Sequence, residues 1–176
     1  MSNAAAPQLH PIAHEDFVAD TQAVAEAVLR EGWTPDFVIG IGRGGLVPAV
    51  FLSHALDVPM LSIDVSAQLP DFAGDLLAKL AAKSAAGARL LFVDDINDSG
   101  ATIAEIRRRL AEAGSERAAV RFAVLIDNLG SQDRVDYRAR TIDRASDKRW
   151  FVFPWEAVGA PATIVAEALS VPERLA

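Results

Sequence analysis

The chain has 176 residues, 51% of them hydrophobic, and its 24 acidic residues against 17 basic ones give a net charge of −7. This length fits a single domain with a substantial core. We expect that domain to span residues 1–176, with residues 1–10 as a loose leader. The acidic balance argues against a nucleic-acid partner, and the absence of cysteine excludes a disulfide framework and a thiolate zinc site. No basic region with an apolar block opens the chain, and no apolar run of about 18 residues occurs, so we expect a cytoplasmic protein without a membrane partner.

The hydrophobic pattern predicts helices and strands in alternation. In chain order we expect a helix at 15–31, a strand at 36–41, a helix at 46–56, a strand at 59–65, a strand at 89–93, a helix at 103–113, strands at 120–126 and 137–142, an aromatic segment at 150–155 and a helix at 162–169. The Ala-rich stretch 68–87 is interpreted as a mobile loop with a helical section. Such alternation is typical of an α/β domain whose mostly parallel sheet is flanked by helices.

The segment 90–102 carries the strongest functional signal. It reads Leu-Leu-Phe-Val-Asp-Asp-Ile-Asn-Asp-Ser-Gly-Ala-Thr, so an apolar run stops at Asp94 and Asp95 before a turn rich in backbone N–H groups. Paired carboxylates suit vicinal sugar hydroxyls and a bound metal ion, and N–H groups at a helix start suit a phosphate. The alternative is an ordinary helix start with Asp98 or Ser99 as N-cap. That alternative explains one acid and leaves the other two unexplained.

A second loop follows the first predicted strand. Residues 40–45 read Gly-Ile-Gly-Arg-Gly-Gly, which matches the dinucleotide spacing G-x-G-x-x-G, and Asp64 ends the next strand where a ribose-binding acid would stand. A tight turn is a further alternative. The charge of Arg43 instead suits a pyrophosphate. Because the carboxyl ends of parallel strands meet at one edge of a sheet, we expect this loop and the acidic segment to form one composite site.

Three segments together resemble the type I phosphoribosyltransferases. Residues 93–102 resemble the family's motif for phosphoribosyl pyrophosphate (PRPP), with Ser99 where Thr is common. Residues 42–48 are similar to its pyrophosphate loop. Residues 150–156, Trp-Phe-Val-Phe-Pro-Trp-Glu, resemble the base-binding end of bacterial and archaeal xanthine–guanine and hypoxanthine members. The matches occur in the family's order and span residues 36–156.

The resemblance implies a role for each matched position. The 5′-phosphate would be held by Ile96, Asn97, Ser99, Gly100, Ala101 and Thr102. The pyrophosphate would be held by Gly42, Arg43 and Gly44, across a cis peptide in that loop. The resemblance also implies a flexible lid within 68–87 and a small base-binding hood, and a homo-oligomer, either a dimer or a tetramer.

The resemblance further implies the chemistry. Asp98 would be the general acid/base, Asp94 and Asp95 would hold the ribose hydroxyls, partly through Mg²⁺, and Glu156 would lie near a second Mg²⁺. The base would be bound by Trp150 and Phe151, and we also expect Asp127 at the base, where an acid would accept from an amino or ring N–H. We expect transfer of the 5-phosphoribosyl group from PRPP to a purine-like base, with inversion at the anomeric carbon and release of pyrophosphate. A non-catalytic PRPP-sensing regulator and a dinucleotide-binding oxidoreductase are the alternatives.

The chain departs from the family pattern at the base. Purine members commonly carry a Lys just after the fourth strand, here 120–126, and that Lys is aimed at the 6-oxo group of the base. In this chain Asp127 stands at about that place. Lys148 or Arg149 could substitute for that Lys, or the base is not an ordinary 6-oxopurine. The lid region also lacks the Ser-Tyr pair that is often seen in the family.

Overall fold

Five parallel strands form the central sheet, in the order β3-β2-β4-β5-β6. A computed structural model describes residues 6–64 and 70–171, apart from the side chains of 70–74. The strands are β1 (Leu9–Pro11), β2 (Phe37–Ile41), β3 (Met60–Ile63), β4 (Leu90–Asn97), β5 (Val120–Asn128), β6 (Tyr137–Ile142) and β7 (Trp150–Val152). The helices are α1 (His14–Glu31), α2 (Gly42–Leu56), α3 (Pro70–Ala85), α4 (Ala101–Glu112) and α5 (Pro161–Leu169), with a 3₁₀ turn at Arg117–Ala119.

Both faces of this sheet are covered, as the alternation of elements predicted. Leu91 and Val93 of β4 pack with α1 and α2 in one apolar cluster. Leu90 and Phe92 of the same strand pack with α3 and α4 in the other. Because alternate side chains of a strand point to opposite faces, a strand buried on both faces reads as a continuous apolar run. The expected mostly parallel sheet flanked by helices is therefore confirmed.

Two elements at the carboxyl edge are longer than the sequence indicated. Helix α2 begins at Gly42 rather than at residue 46, so the glycine cluster forms its first turn instead of a separate loop. Strand β4 continues to Asn97, past the two adjacent acids, because it stays paired with β5 up to Asn97 and Asp127. Backbone pairing with a long neighbouring strand therefore overrides the local signal of Asp94 and Asp95, which marked a strand end.

The helical section expected in 68–87 is confirmed, and it takes up most of that stretch. Residues 70–85 form α3, and Leu77, Leu80 and Ala81 on this helix are buried against the sheet. An Ala-rich sequence has high helix propensity, and this apolar stripe fixes the helix to the core. Gln68 and Leu69, at the start of the expected lid, lie outside the described residues. No helix in the described parts of the chain has the length and apolarity to cross a bilayer.

The expected loose leader is wrong at its last two residues. Strand β1 pairs in parallel with β7 in a separate two-stranded sheet, with Leu9 opposite Trp150. The N–H of Ile12 also donates to the carbonyl of Val152 at 2.9 Å. A three-residue strand is a weak sequence signal, and its long-range partner decides it. Residues 1–5 of the leader lie outside the described residues.

Candidate active site

The glycine cluster and the acidic segment meet at the carboxyl edge of the sheet. A Cβ on Gly44 would lie 2.5 Å from Oδ2 of Asp95, and a Cβ on Gly45 would overlap the carbonyl oxygen of Val93. The first turn of α2 therefore lies directly against the end of β4, and only glycines permit this approach. The two motifs accordingly form one composite site.

Two adjacent carboxylates form the acidic floor of this site. The N–H of Asp95 donates to Oδ1 of Asp94 at 3.0 Å, and the N–H of Ile96 donates to Oδ1 of Asp95 at 2.7 Å. Both side chains keep partial exposure, so a ligand can reach them. Burial, and then the neighbouring charge of Asp95, raises the pKa of Asp94 well above its ordinary value. Burial and the charge of Glu156 raise the pKa of Asp95 to about 7.

Such a pair fits a divalent cation, because the cation would favour the charged form of both carboxylates. The carboxylate of Glu156 accepts a hydrogen bond from the N–H of Phe153 at 2.9 Å, and burial raises the pKa of Glu156. Across the described residues, no group of three or more His, Cys, Asp or Glu side chains is arranged to hold a metal ion. A cation here would draw its other ligands from a phosphate or water, which is how Mg²⁺ is usually bound.

Residues around the start of α4 enclose a small cavity of about 50 Å³, lined by Asp94 and residues 96–103. The N-cap of α4 is Gly100, which makes no side-chain capping hydrogen bond. The simple N-cap alternative for Asp98 or Ser99 is therefore wrong. Ser99 accepts a hydrogen bond from the N–H of Ala101 at 3.3 Å through its hydroxyl. First-turn N–H groups without an intrahelical partner, together with the helix dipole, suit an anion.

Asn97 lines this cavity, and its side chain has structural partners. Its Nδ2 donates to Oδ1 of Asp127 and to the carbonyl of Asp133, each at 2.8 Å. Its Oδ1 accepts from the hydroxyl of Ser131 at 3.1 Å. Asn97 lies within β4, so its side chain fastens the turn after β5 to the end of that strand.

Gly100 makes room for the same turn. Its φ is +86°, and a Cβ there would lie 2.6 Å from both the N of Asp133 and Oγ of Ser131. The sequence suggested that this glycine lets the backbone approach an anion, and the structure adds a neighbouring turn that needs the same space.

We expect Gly100→Ala to destabilise the protein more than Gly114→Ala does. Gly114 also has a positive φ, +81°, but a Cβ there would meet nothing within 4 Å. Both variants place a side chain in the left-handed region, whereas only Gly100→Ala adds overpacking, which typically costs about 1–3 kcal/mol. Denaturant unfolding of the two variants measures the difference in free energy of unfolding. Equal losses would show that the turn yields freely to a methyl group.

Asp98 has a partner that the sequence did not reveal. Its buried carboxylate accepts from Nε of Arg144 at 3.0 and 3.2 Å and from Nη2 at 2.9 Å. Nη1 of Arg144 donates to the carbonyls of Arg149 at 2.6 Å and Asp147 at 3.2 Å. The only sequence signal for Arg144 is that it follows β6 closely, which places it at the same sheet edge as Asp98.

Asn128, the last residue of β5, supports this pair. Its Nδ2 donates to the carbonyl of Asp98 at 2.9 Å, and its Oδ1 accepts from the N–H of Arg144 at 3.1 Å. Asn128 is buried, and a buried amide with both ends bonded holds its neighbours in one arrangement. Asn128 thus fixes the backbone on both sides of the Asp98–Arg144 pair.

The structure contradicts the expected contact of Asp127 with a base. Its side chain is buried, accepts from Asn97, and lies 3.8 Å from Nε of Arg138. The carboxylate is therefore engaged by structural partners. Arg149, one of the two substitutes considered for the missing Lys, forms a two-point ion pair with Asp147, with Nη2 to Oδ2 at 2.7 Å.

Strand β7 brings aromatic side chains next to Arg144. Phe151 is buried, and the guanidinium carbons of Arg144 and Arg149 each lie 5.3 Å from the centre of its ring. Trp150, beside it in β7, is partly exposed. The segment that was expected to bind the base is thus joined through Arg144 to Asp98.

Arg43 lies in the first turn of α2 with its side chain 95% exposed, 3.9 Å from a carboxylate oxygen of Glu167 in α5. The peptide bonds of the described residues are all trans, so the cis peptide expected near Arg43 is absent. The charge of Arg43 opposes the rise in the pKa of Glu156, so the exposed guanidinium lies near that carboxylate, where an anionic group can reach it.

Comparisons with known proteins identify the family of the chain. The family model for a phosphoribosyl transferase domain matches residues 12–158. A xanthine-guanine phosphoribosyltransferase of Nitratidesulfovibrio vulgaris is 27% identical over 151 residues, which cover 85% of this chain and 86% of that protein. The crystal structure of a purine phosphoribosyltransferase from Pyrococcus horikoshii superimposes with a TM-score of 0.62 at 26% identity, covering 84% of this chain and 93% of that one.

A third similarity concerns the fold. A hypothetical protein from Neisseria gonorrhoeae, solved with bound ppGpp, matches with a TM-score of 0.66 at 20% identity over 95% of this chain and 97% of that one. The family model covers most of the chain, including both motifs at the carboxyl edge, and it rules against the dinucleotide oxidoreductase alternative. The chain belongs to the phosphoribosyltransferase family.

Proposed function

We propose that this protein transfers the 5-phosphoribosyl group of PRPP to a purine-like base and releases pyrophosphate. One observation carries the proposal: two partly exposed carboxylates with raised pKa values lie beside the start of α4, whose N-cap Gly100 has no side chain, on the same edge as the exposed Arg43. This arrangement offers acceptors for ribose hydroxyls, N–H donors for a phosphate and a cation for a pyrophosphate. The purine class is supported by the names of the relatives from N. vulgaris and P. horikoshii.

In this proposal the residues act on the sugar and its two phosphate ends. The N–H groups at the start of α4 bind the 5′-phosphate, and Asp94 and Asp95 accept from the two ribose hydroxyls. Arg43 and the first turn of α2 bind the pyrophosphate. Mg²⁺, when bound with PRPP, would be held by Asp94 and Asp95 and would neutralise the leaving group. The negative floor also stabilises positive charge that develops on the sugar.

The transfer exchanges one bond at the anomeric carbon for another. The bond from C1 to the pyrophosphate oxygen breaks, and its electron pair leaves with pyrophosphate. A ring nitrogen of the base forms the new bond to C1 from the opposite face, with inversion. The base must then lose a proton, which Asp98 accepts from a ring N–H. A carboxylate has about four acceptor positions, so the contacts with Arg144 do not exclude a base N–H.

The decisive experiment is a product assay with PRPP, Mg²⁺ and a panel of hypoxanthine, guanine, xanthine, adenine, uracil and orotate. We expect a nucleoside monophosphate and stoichiometric pyrophosphate from at least one purine and from neither pyrimidine. Omitting Mg²⁺ should abolish turnover. Tight PRPP binding without product from any base would instead favour a non-catalytic PRPP-sensing regulator. Failure to bind PRPP at all would refute the proposal.

We expect Arg43→Ala to weaken PRPP and pyrophosphate binding by about 10–100-fold, since hydrogen bonds to charged groups contribute roughly 1.5–3 kcal/mol. Folding should be little affected, because Arg43 is exposed and exposed ion pairs contribute little. Arg30→Ala is the matched control, as Arg30 is also exposed and paired at 3.9 Å with one acid, Glu26. Calorimetric titration measures both affinities. Unchanged affinity in Arg43→Ala would remove the first turn of α2 from the pyrophosphate site.

We further propose that the protein assembles as a homo-oligomer, either a dimer or a tetramer, as the family resemblance implies. Its binding partners are then PRPP, a nucleobase and further copies of the chain. The acidic composition, with a net charge of −7, supports the absence of a nucleic-acid partner. Sedimentation of the purified protein measures the assembly state directly.

A further inference from the structure

The ion pair between Asp98 and Arg144 is nearly removed from solvent. The two side chains are 6% and 11% exposed, and they are joined by charge-assisted hydrogen bonds of 2.9–3.2 Å. Desolvating two charges costs free energy that their attraction often fails to recover, so a buried pair is weak evidence for stability. The pair joins Asp98, in the segment 93–102, to Arg144, which lies against Phe151 of β7. This position points instead to a role in recognition.

The guanidinium of Arg144 keeps one N–H available for a ligand. A guanidinium has five N–H donors and no acceptor. Nε and one N–H of Nη2 are directed to Asp98, and Nη1 donates to the carbonyls of Asp147 and Arg149. One N–H of Nη2 is therefore without a partner among the described residues. The group is also anchored on three sides, by Asp98, by the two carbonyls and by the ring of Phe151.

From this geometry we infer that Arg144 is the residue that selects the acceptor base, by donating to a carbonyl oxygen beside the ring N–H that Asp98 accepts. The inference rests on the proposed function and deepens it by naming a substrate class. Asp98 presents an acceptor and Arg144 presents a donor side by side, so the pair matches a base edge with an N–H next to a carbonyl oxygen. Oxopurines have this edge. An aminopurine places an amino group where Arg144 requires an acceptor.

Arg144 also acts as a positioning residue for Asp98. Its planar fork contacts both carboxylate oxygens, and Asn128 holds the backbone of both residues. A fork of this kind restrains the rotation of the carboxylate, whereas a Lys would act as a point charge. The expected Lys is therefore replaced by a residue from another strand end, and Asp127 needs no part in base binding.

The test compares kcat/KM for hypoxanthine with kcat/KM for adenine in the full-length protein. We expect Arg144→Gln to lower the hypoxanthine-to-adenine ratio by about 10–100-fold, the effect of one charge-assisted hydrogen bond. The KM for the base should rise while the KM for PRPP stays within threefold. Arg144→Lys should restore part of the ratio. Arg149→Gln is the matched control, because Arg149 lies at the same distance from Phe151 but pairs with Asp147.

Binding of nucleoside monophosphates provides a readout that does not need turnover. The wild-type protein should bind IMP more tightly than AMP, and Arg144→Gln should lose that preference. If Arg144→Gln does not fold, Arg144→Lys carries the test, with a smaller loss of preference expected. A folded Arg144 variant with unchanged hypoxanthine-to-adenine and IMP-to-AMP ratios would overturn the inference. If wild-type protein forms no nucleotide with any base, the proposed function fails, and the IMP and AMP affinities still decide the role of Arg144.

Discussion

Turnover of Asp98→Asn should fall about 10²–10⁴-fold, the usual effect of removing a general acid/base, while PRPP affinity stays within threefold. Asp98 lies beyond the paired acids and is directed to Arg144 at the base end. The substitution therefore removes the proton acceptor for the base and leaves Asp94 and Asp95 intact. Single-turnover rates and calorimetric titration with PRPP measure the two effects separately. Normal turnover in Asp98→Asn would remove this carboxylate from the mechanism.

The matched control is Asp127→Asn on the neighbouring strand. Asp127 is also a buried acid beside an arginine, but its carboxylate accepts from Asn97. Neutralising one partner of the buried Asp98–Arg144 pair costs about 3–5 kcal/mol, whereas the arginine beside Asp127 is 46% exposed, so thermal unfolding curves are needed for both variants. We expect both to lose stability and only Asp98→Asn to lose turnover. A change in base preference in Asp127→Asn would restore Asp127 to the base site.

Replacing Asp95 with Asn should have opposite effects on binding and on stability. Affinity for PRPP with Mg²⁺ should fall roughly 100-fold, because the variant loses a charged ligand for the cation and the ribose. The free protein should become more stable at pH 8. There the folded wild type must keep Asp95 ionised against burial and the charge of Glu156, whereas the amide carries no charge. Each kcal/mol gained would raise Tm by roughly 2–4 °C in a domain of this size.

The pH dependence of the Asp95 effect follows from linkage. The pKa of Asp95 is raised to about 7 in the folded protein from an ordinary value of 3.8, so between these values the folded state holds more protons than the unfolded state. This group therefore lowers wild-type stability as pH rises from about 4 to 7. The advantage of Asp95→Asn should be larger at pH 8 than at pH 5. Wild-type affinity for PRPP with Mg²⁺ should increase from pH 6 to 8, because protons no longer compete.

Asp57→Asn serves as the control for charge alone. Asp57 is exposed, and its φ of 54° is one that Asn also tolerates. The substitution removes one negative charge, as Asp95→Asn does. It lies at the C-cap of α2, the opposite end of the helix from its glycine-rich first turn. We expect unchanged PRPP affinity and no pH-dependent gain in Tm. A gain equal to that of Asp95→Asn would assign the effect to net charge.

Motif spacing correctly predicted features that depend on residues close together in the sequence. The acids of 94–98 and the glycines of 42–45 could be assigned to one site because strand-helix alternation brings their strand ends to one edge. The same alternation predicted the sheet and its two covered faces. The bounds were less accurate where pairing with β5 extended β4, and where the glycines allowed α2 to begin early.

Side-chain partners across the sheet could not be predicted in the same way. Asp127 and Asn128 are adjacent in β5, yet Asp127 contacts Asn97 whereas Asn128 supports Asp98 and Arg144. Successive residues of a strand point to opposite faces, so a shift of one position changes the partner. The pairing of Asp98 with Arg144 joins residues 46 positions apart, and no local pattern signals a contact at that range.

The sequence by itself determined the family, the order of elements and the meeting of the two motifs at one sheet edge, because each depends on short-range residue patterns that specify backbone structure. Only the tertiary structure decided that Arg144 stands against Asp98, that Asp127 is structural and that β1 joins β7. Those outcomes depend on strand register and on loop paths that bring distant residues into contact. The physical reason is that a hydrogen bond needs partners within about 3 Å, and only the folded chain sets that distance.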